Sequence, residues 1–231
     1  MSGRLVRSRR ERPAKPALTR QGIIDAALAI MNADGLGKVT MRRVAAALDT
    51  GHASLYVYVR DAEDLHAQIL DALLAPVVAA EPPEGTWRDR VKALLIGYGE
   101  VLHARPEIAR MALSTQPSGP HYFALVETLL ALLVEGGAGD RAAAWGVDML
   151  LLYPTALAVE HTAPKPAKHA TGDVTAMAAI LAEADPARTP HVARLGPDLV
   201  AGTPAARRDW AMDVLLDGIL TAAAPPGDED R

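Results

Sequence analysis

Only three residues, Asp49, Thr50 and Gly51, separate two short runs whose apolar side chains recur at helical spacing. A link that short permits a tight turn and little else. The first, over 41–48, sets Val44, Ala45 and Leu48 on one face, with Thr40 as its N-cap and Arg42 and Arg43 near its start. The second, over 52–57, turns Leu55 inward and leaves His52, Ser54 and Tyr56 on other faces. A helix precedes the pair. It starts after Thr19, carries Ile23, Ile24, Ala26, Ala27, Leu28, Ile30 and Met31, and stops at Asp34 and Gly35, where glycine suits a left-handed C-cap. Asp61 caps a fourth helix through Glu63, Asp64, Leu65, Ile69, Leu73 and Leu74, with its acids at the positive end of the helix dipole.

Nothing downstream demands a sheet. Half of the 231 residues are hydrophobic, but Ala, Leu and Val carry that content in long runs without alternation, so the fold class is all-α. Periodicity predicts helices over 87–104, 106–114, 121–135, 140–161, 174–184 and 209–223, while 162–172 and 185–204, rich in Pro, His, Thr and Ala, lack a clean pattern and stay unassigned. The expected division is a mobile basic arm over 1–18, a three-helix domain over 19–65, a larger helical domain over 66–224 and a tail over 225–231. The absence of cysteine excludes disulfides, thiolate metal sites and cysteine nucleophiles, and fits a cytoplasmic location. The most apolar run, 149–159, is half the roughly 20 residues a membrane span needs and contains Pro154, so no membrane segment is expected.

The net charge of -4 conceals a basic head on an acidic body. Residues 1–60 hold eleven Lys and Arg against four Asp and Glu (+7), and 61–231 hold thirteen against twenty-four (-11). Local positive charge is what phosphate neutralisation and counterion release require. A helix of 52–58 that follows a tight turn and shows hydroxyl, imidazole and phenol groups outward also suits the major groove. A purely structural helix pair accounts for Val44, Leu48 and Leu55 equally well, but not for Tyr56 and Tyr58 flanked by Arg42, Arg43 and Arg60.

Residues 18–74, and above all VTMRRVAAALDTGHASLYVYVRDAEDL over 39–65, resemble the DNA-binding domain of the TetR family. That family's pattern runs Thr-x-Arg-x-Leu-Ala, then Leu-Gly, a Leu-Tyr pair and a Lys followed by Leu. The likeness covers about a quarter of the chain. It implies that Thr40 and Arg42 contact phosphate and base, that Ser54, Tyr56 and Tyr58 touch the operator, and that His52 and Ala53 set sequence preference. Arg43 is read as a phosphate contact or a solvated charge, and the arm's arginines as minor-groove or purely electrostatic contacts. Three positions depart from the pattern: Asp49 stands at the turn glycine, Val59 at a Phe, and Ala62 at the phosphate-binding Lys, for which Arg60 is the available substitute cation.

For the body the resemblance implies architecture, a domain that binds a small molecule and dimerises, and no particular chemistry. Polar and aromatic residues set among apolar helices mark the expected effector contacts: Tyr98, His103, Met111, Gln116, His121, Tyr122, Tyr153 and Glu160, with Trp145, Thr155 and His161 nearby. They suit an elongated, largely apolar effector with one or two polar handles. No His spacing fits a metal, no cofactor is expected, and no nucleophile elbow or acid and base constellation supports an enzyme. Ala143, Gly146, Val147, Leu150, Leu151 and Leu157, with Ala211, Leu215, Gly218 and Ile219, suit close helix packing, either in the core or between two copies through helices around 142–160 and 209–222. The expected function is a ligand-responsive repressor that binds palindromic double-stranded DNA as a homodimer and is released by its effector. Alternatives are an effector-independent DNA-binding factor and a helical enzyme with an incidental basic arm.

Overall fold

Thr19 opens the first helix by accepting a hydrogen bond from the Gly22 amide at 3.0 Å. The resulting α1, Arg20–Asp34, ends at Gly35, whose φ of +86° and extended ψ of 162° lie in a region that only glycine enters readily. The computed structural model describes residues 17–115, 117–162 and 174–222, and among them every regular element is helical. The expected arm over 1–18 lies outside the described residues except for Ala17 and Leu18, and the expected tail over 225–231 lies wholly outside them.

The chain divides into two compact units between Leu65 and His66. In the N-terminal unit, α1 packs on α2, Met41–Ala47, and α2 packs on a 3-10 helix, His52–Val57. Ile23, Ile24, Ala27, Ile30 and Met31 of α1 are buried, as are Val44 and Leu55. Met41 joins this core and Leu48 is half-buried, so the buried stripe of α2 sits one turn earlier than its apolar spacing predicts. A short 3-10 turn, Leu36–Lys38, buries Leu36 in the connection before α2.

The division falls within α3, Ala62–Ala79, which Asp61 caps by accepting from the Asp64 amide at 2.8 Å. The C-terminal unit then contains α4, Trp87–His103, α5, Pro106–Ser114, α6, Pro120–Glu135, α7, Asp140–Thr162, α8, Val174–Ala182, α9, Pro190–Val200, and α10, Pro204–Thr221. At its centre α7 packs against α4, α5, α6 and α10. By length and composition 140–161 could cross a membrane, yet Ala143, Val147, Leu150, Leu151 and Ala158 on it are buried inside this core.

Two departures from the sequence reading share a cause. Residues 185–204 carry no clean periodicity, yet α9 lies there, and α10 starts five residues before the expected 209. Pro190 and Pro204 occupy the first helical position, where a missing N–H costs nothing, and Thr203 caps α10 by accepting from the Ala206 amide at 3.1 Å. Val192, Leu195, Gly196 and Leu199 also recur at helical spacing, with Gly196 closing on Leu181 of α8. The seam uses a glycine where a larger apolar residue would have signalled a helix.

Candidate functional site

The turn between α2 and the 3-10 helix closes through its backbone. The Thr50 amide donates to the Ala45 carbonyl at 2.9 Å and the Asp49 amide to the Ala46 carbonyl at 3.1 Å, the paired bonds of a Schellman cap. Asp49 is the left-handed residue of that cap, with φ +49°, so it performs the task of the family's glycine, while Gly51 has an ordinary φ of -69°. At the other end of α2 the Thr40 hydroxyl oxygen accepts from the Arg43 amide at 3.2 Å.

Leu55 points into the core, and His52, Ala53, Ser54 and Tyr56 face outward, with Tyr56 51% exposed and its ring edge-on to His52 at 5.6 Å. The segment is a 3-10 helix where an α-helix was expected. Among the described residues the side chains of Arg42, Ser54 and Tyr56 enter no hydrogen bond or ion pair, which leaves their donors for an external partner.

Three other expected contacts have partners inside the unit. The Tyr58 hydroxyl donates to the Leu18 carbonyl at 2.7 Å and ties down the start of the described chain. Arg43 pairs with Asp34 at the end of α1. Arg60 reaches Asp64 at 3.4 Å but is 83% exposed, and so exposed a pair is weak enough to open toward a phosphate. Val59 is buried and takes the core position of the missing Phe, while Ala62 begins α3 without a cation.

A profile described as "Bacterial regulatory proteins, tetR family" matches residues 23–69, and one described as "Tetracyclin repressor-like, C-terminal domain" matches 79–223. The chain belongs to the TetR family. The HTH-type transcriptional repressor DrrR1 of Streptomyces coeruleorubidus is 30% identical over 165 residues, 71% of this chain and 61% of that one. The chain spans under two thirds of the length of the curated relatives it matches most strongly. Among solved structures, the transcription regulator SCO7704 of Streptomyces is 45% identical, covers 92% of this chain and 100% of its own, and superposes with a TM-score of 0.73. The TetR family protein ActR of Streptomyces coelicolor in complex with actinorhodin is 30% identical, covers 90% of this chain and 100% of its own, with a TM-score of 0.73.

In this TetR-family body the expected effector residues do not form one constellation. Tyr98 is buried, with its hydroxyl 3.0 Å from Thr155 Oγ1. Thr155 already donates to the Leu151 carbonyl at 2.7 Å, so the Tyr98 O–H is the donor between them. Tyr122 is half-buried, and burial pushes its phenol up, as it does that of half-buried Tyr153. His103 and His161 are exposed and meet edge-on at 6.2 Å, Glu160 is exposed, Met111 is half-buried on α5, and exposed Trp145 faces away from the core. His121 is held by Asp71, and Gln116 lies outside the described residues. Among the described residues no three His, Cys, Asp or Glu gather to hold a metal.

Burial pushes the Tyr98 phenol up to about 12. The folded chain therefore keeps a proton that the unfolded chain releases near pH 10, so this stabilisation is complete below pH 10 and is lost as pH rises through about 12. Wild type should lose on the order of 2 to 3 kcal/mol more than Tyr98→Phe across that window, measured by denaturant unfolding at stepped pH. Equal pH slopes for the two proteins would contradict the assignment.

A cleft of about 610 Å³ opens between the second half of α3, the following loop, α4 and α6. Val77, Leu94, Val101 and Leu132 give it apolar walls, and Arg90 and Arg105 lie along it. None of the expected effector residues lines it. Leu94 and Val101 carry no polar signal and read as ordinary core, and only the convergence of three helices marks them. Arg90 pairs with Glu135, yet its Nε is buried with no hydrogen-bond partner.

The small-residue stripe has an intramolecular use. Ala143, Gly146, Val147, Leu150 and Leu151 are buried in the chain, and Gly146 admits Ile219 of α10 so closely that a Cβ would meet it at 2.8 Å. On α7 and α10 the large apolar residues that stay exposed are Trp145, Met149 and Leu152, and Trp210 and Val214.

Proposed function

We propose that this chain is a ligand-responsive transcriptional repressor that binds a palindromic operator in the bacterial cytoplasm as a homodimer and is released by a small molecule. The observation that carries the reading is the outward segment after the Asp49 turn. Arg42, Ser54 and Tyr56 have donors with no use inside the unit, on an element anchored from behind by Leu55. His52 and Ala53 beside them would set base preference, and Thr40 and Arg60 would add phosphate contacts.

Two-fold operators require two-fold readers, and the exposed apolar faces of α7 and α10 are the surfaces suited to pairing two copies. For the effector, the cleft volume lies within the range of small-molecule sites, and its apolar walls with Arg90 and Arg105 along it suit a largely apolar molecule bearing a hydrogen-bond acceptor. ActR binds actinorhodin, as its complex states, and DrrR1 is named a repressor; both support this reading.

The test is a mobility shift on an inverted repeat taken from the DNA beside the gene. Arg42→Ala and Tyr56→Phe should each weaken binding by about tenfold or more, with the far-ultraviolet helical signal unchanged. Unchanged affinity in both variants would remove the recognition assignment.

A further inference from the structure

Asp34 sits where a helix disfavours an acid. It is the last residue of α1, beside carbonyls at the negative end of the helix dipole, and α1 has no basic residue in its last turn to offset it. It caps nothing, because the Gly35 amide closes the helix on the Met31 carbonyl at 2.9 Å. Its one side-chain partner among the described residues is the Arg43 guanidinium on α2. The two side chains are 42% exposed for Arg43 and 43% for Asp34, and a pair so exposed adds little to stability. The acid contributes little to the fold, so its effect falls on Arg43.

That cation belongs to a short supply. From Ala17 to Leu65 the chain holds five Lys or Arg, namely Arg20, Lys38, Arg42, Arg43 and Arg60, against six Asp or Glu. Arg42 and Arg43 adjoin each other in the first turn of α2, beside the Thr40 cap, yet among the described residues only Arg43 is held by an acid. We propose that Asp34 is a positioning residue for DNA specificity: it occupies Arg43 as a phosphate would and withholds that cation from duplexes of the wrong sequence. The proposal rests on the DNA-reading assignment above. Phosphates are the same in every duplex, so a cation always open to them raises affinity without discrimination. Where base contacts from 52–56 hold the unit close to the backbone, a phosphate can take Arg43 from so weak a pair. A sequence-independent complex lacks that hold, and there Arg43 stays with Asp34. The carboxylate thus penalises the wrong duplex more than the right one.

The test is fluorescence anisotropy on the full chain at stepped salt, with the inverted repeat from beside the gene and an unrelated duplex of equal length. Asp34→Asn should bind the unrelated duplex about tenfold more tightly than wild type at low salt, and its slope of log K against log salt should steepen by about 0.9, the release from one phosphate. On the inverted repeat the gain should be about threefold or less, so the ratio between the two duplexes falls. Adding Arg43→Gln to Asp34→Asn should remove the gain, because it runs through that guanidinium. Asp34→Glu keeps the charge and should keep the wild-type ratio. Asp25→Asn makes the same change in net charge on an exposed acid of α1 that accepts from Gln21, and should leave the slope unchanged. A purely structural pair predicts the reverse for Asp34→Asn: a lower melting point and weaker binding to both duplexes. That result, an equal gain on both duplexes, or an equal gain in Asp25→Asn overturns the proposal. A wild type that binds neither duplex defeats the DNA-reading assignment itself, whereas wild-type binding with no response in Asp34→Asn defeats only the role of Asp34.

Discussion

A chain carrying Trp145→Glu and Trp210→Glu should stay folded, sediment as a monomer and bind operator DNA at least about a hundredfold more weakly than wild type. Trp145 is 55% exposed and Trp210 68%, so neither charge disturbs the packing inside one chain. Met149 and Leu152 extend the α7 face at helical spacing, and Val214 extends that of α10. Large aromatic residues clustered at the centre of an interface are its usual energetic anchors, each costing about 2 kcal/mol or more on removal. Glutamate adds an unpaired charge to a surface that must lose its water. Two-fold pairing would place four tryptophans in the interface, so the double change should abolish association outright. The loss on DNA follows because a tethered second reader meets its half-site at high effective concentration and a free monomer does not. Sedimentation velocity and a mobility shift check both halves. A variant that still dimerises and still binds tightly would place the interface elsewhere.

The second large effect should come from Leu55→Ala. Leu55 is fully buried and anchors the outward segment from behind, while its carbonyl accepts the Tyr58 and Val59 amides at 2.9 and 3.0 Å and closes the segment's C-terminal end. Truncating a buried leucine costs about 2 to 5 kcal/mol, against a typical total stability of about 5 to 15 kcal/mol. The N-terminal unit is small, so its share of that total is modest. Its unfolding midpoint should fall by roughly 10 °C or more while the body's transition stays in place, and operator binding should disappear at growth temperature. Calorimetry with limited proteolysis resolves the two units. Unchanged melting together with intact binding would show that the segment does not depend on this anchor.

How far the sequence reaches can be judged residue by residue. Thr19, Thr40 and Asp61 announce helix starts because a cap acts within three residues of itself, and each accepts the expected kind of amide. Asp49 at a glycine position pointed to a left-handed turn, and its φ of +49° is that turn. The same local rules were silent at Pro190 and Pro204, each a first helical residue in a stretch without clean periodicity. They failed for the form of 52–57, since short helices are decided by what packs behind them.

The helix starts after Thr19, Thr40 and Asp61, the all-helical class and the outward character of Ser54 and Tyr56 were therefore determined by sequence alone, because periodicity and capping work over one or two turns of chain. Tertiary structure decided the rest: that Tyr58 serves Leu18, that Arg43 serves Asp34, that the small residues of α7 serve α10, and that the cleft avoids the expected polar residues. It also decided that α6 takes its cap from Asp71, fifty-one residues away. Which donor meets which acceptor across such separations depends on how whole helices pack, and no local pattern carries that information.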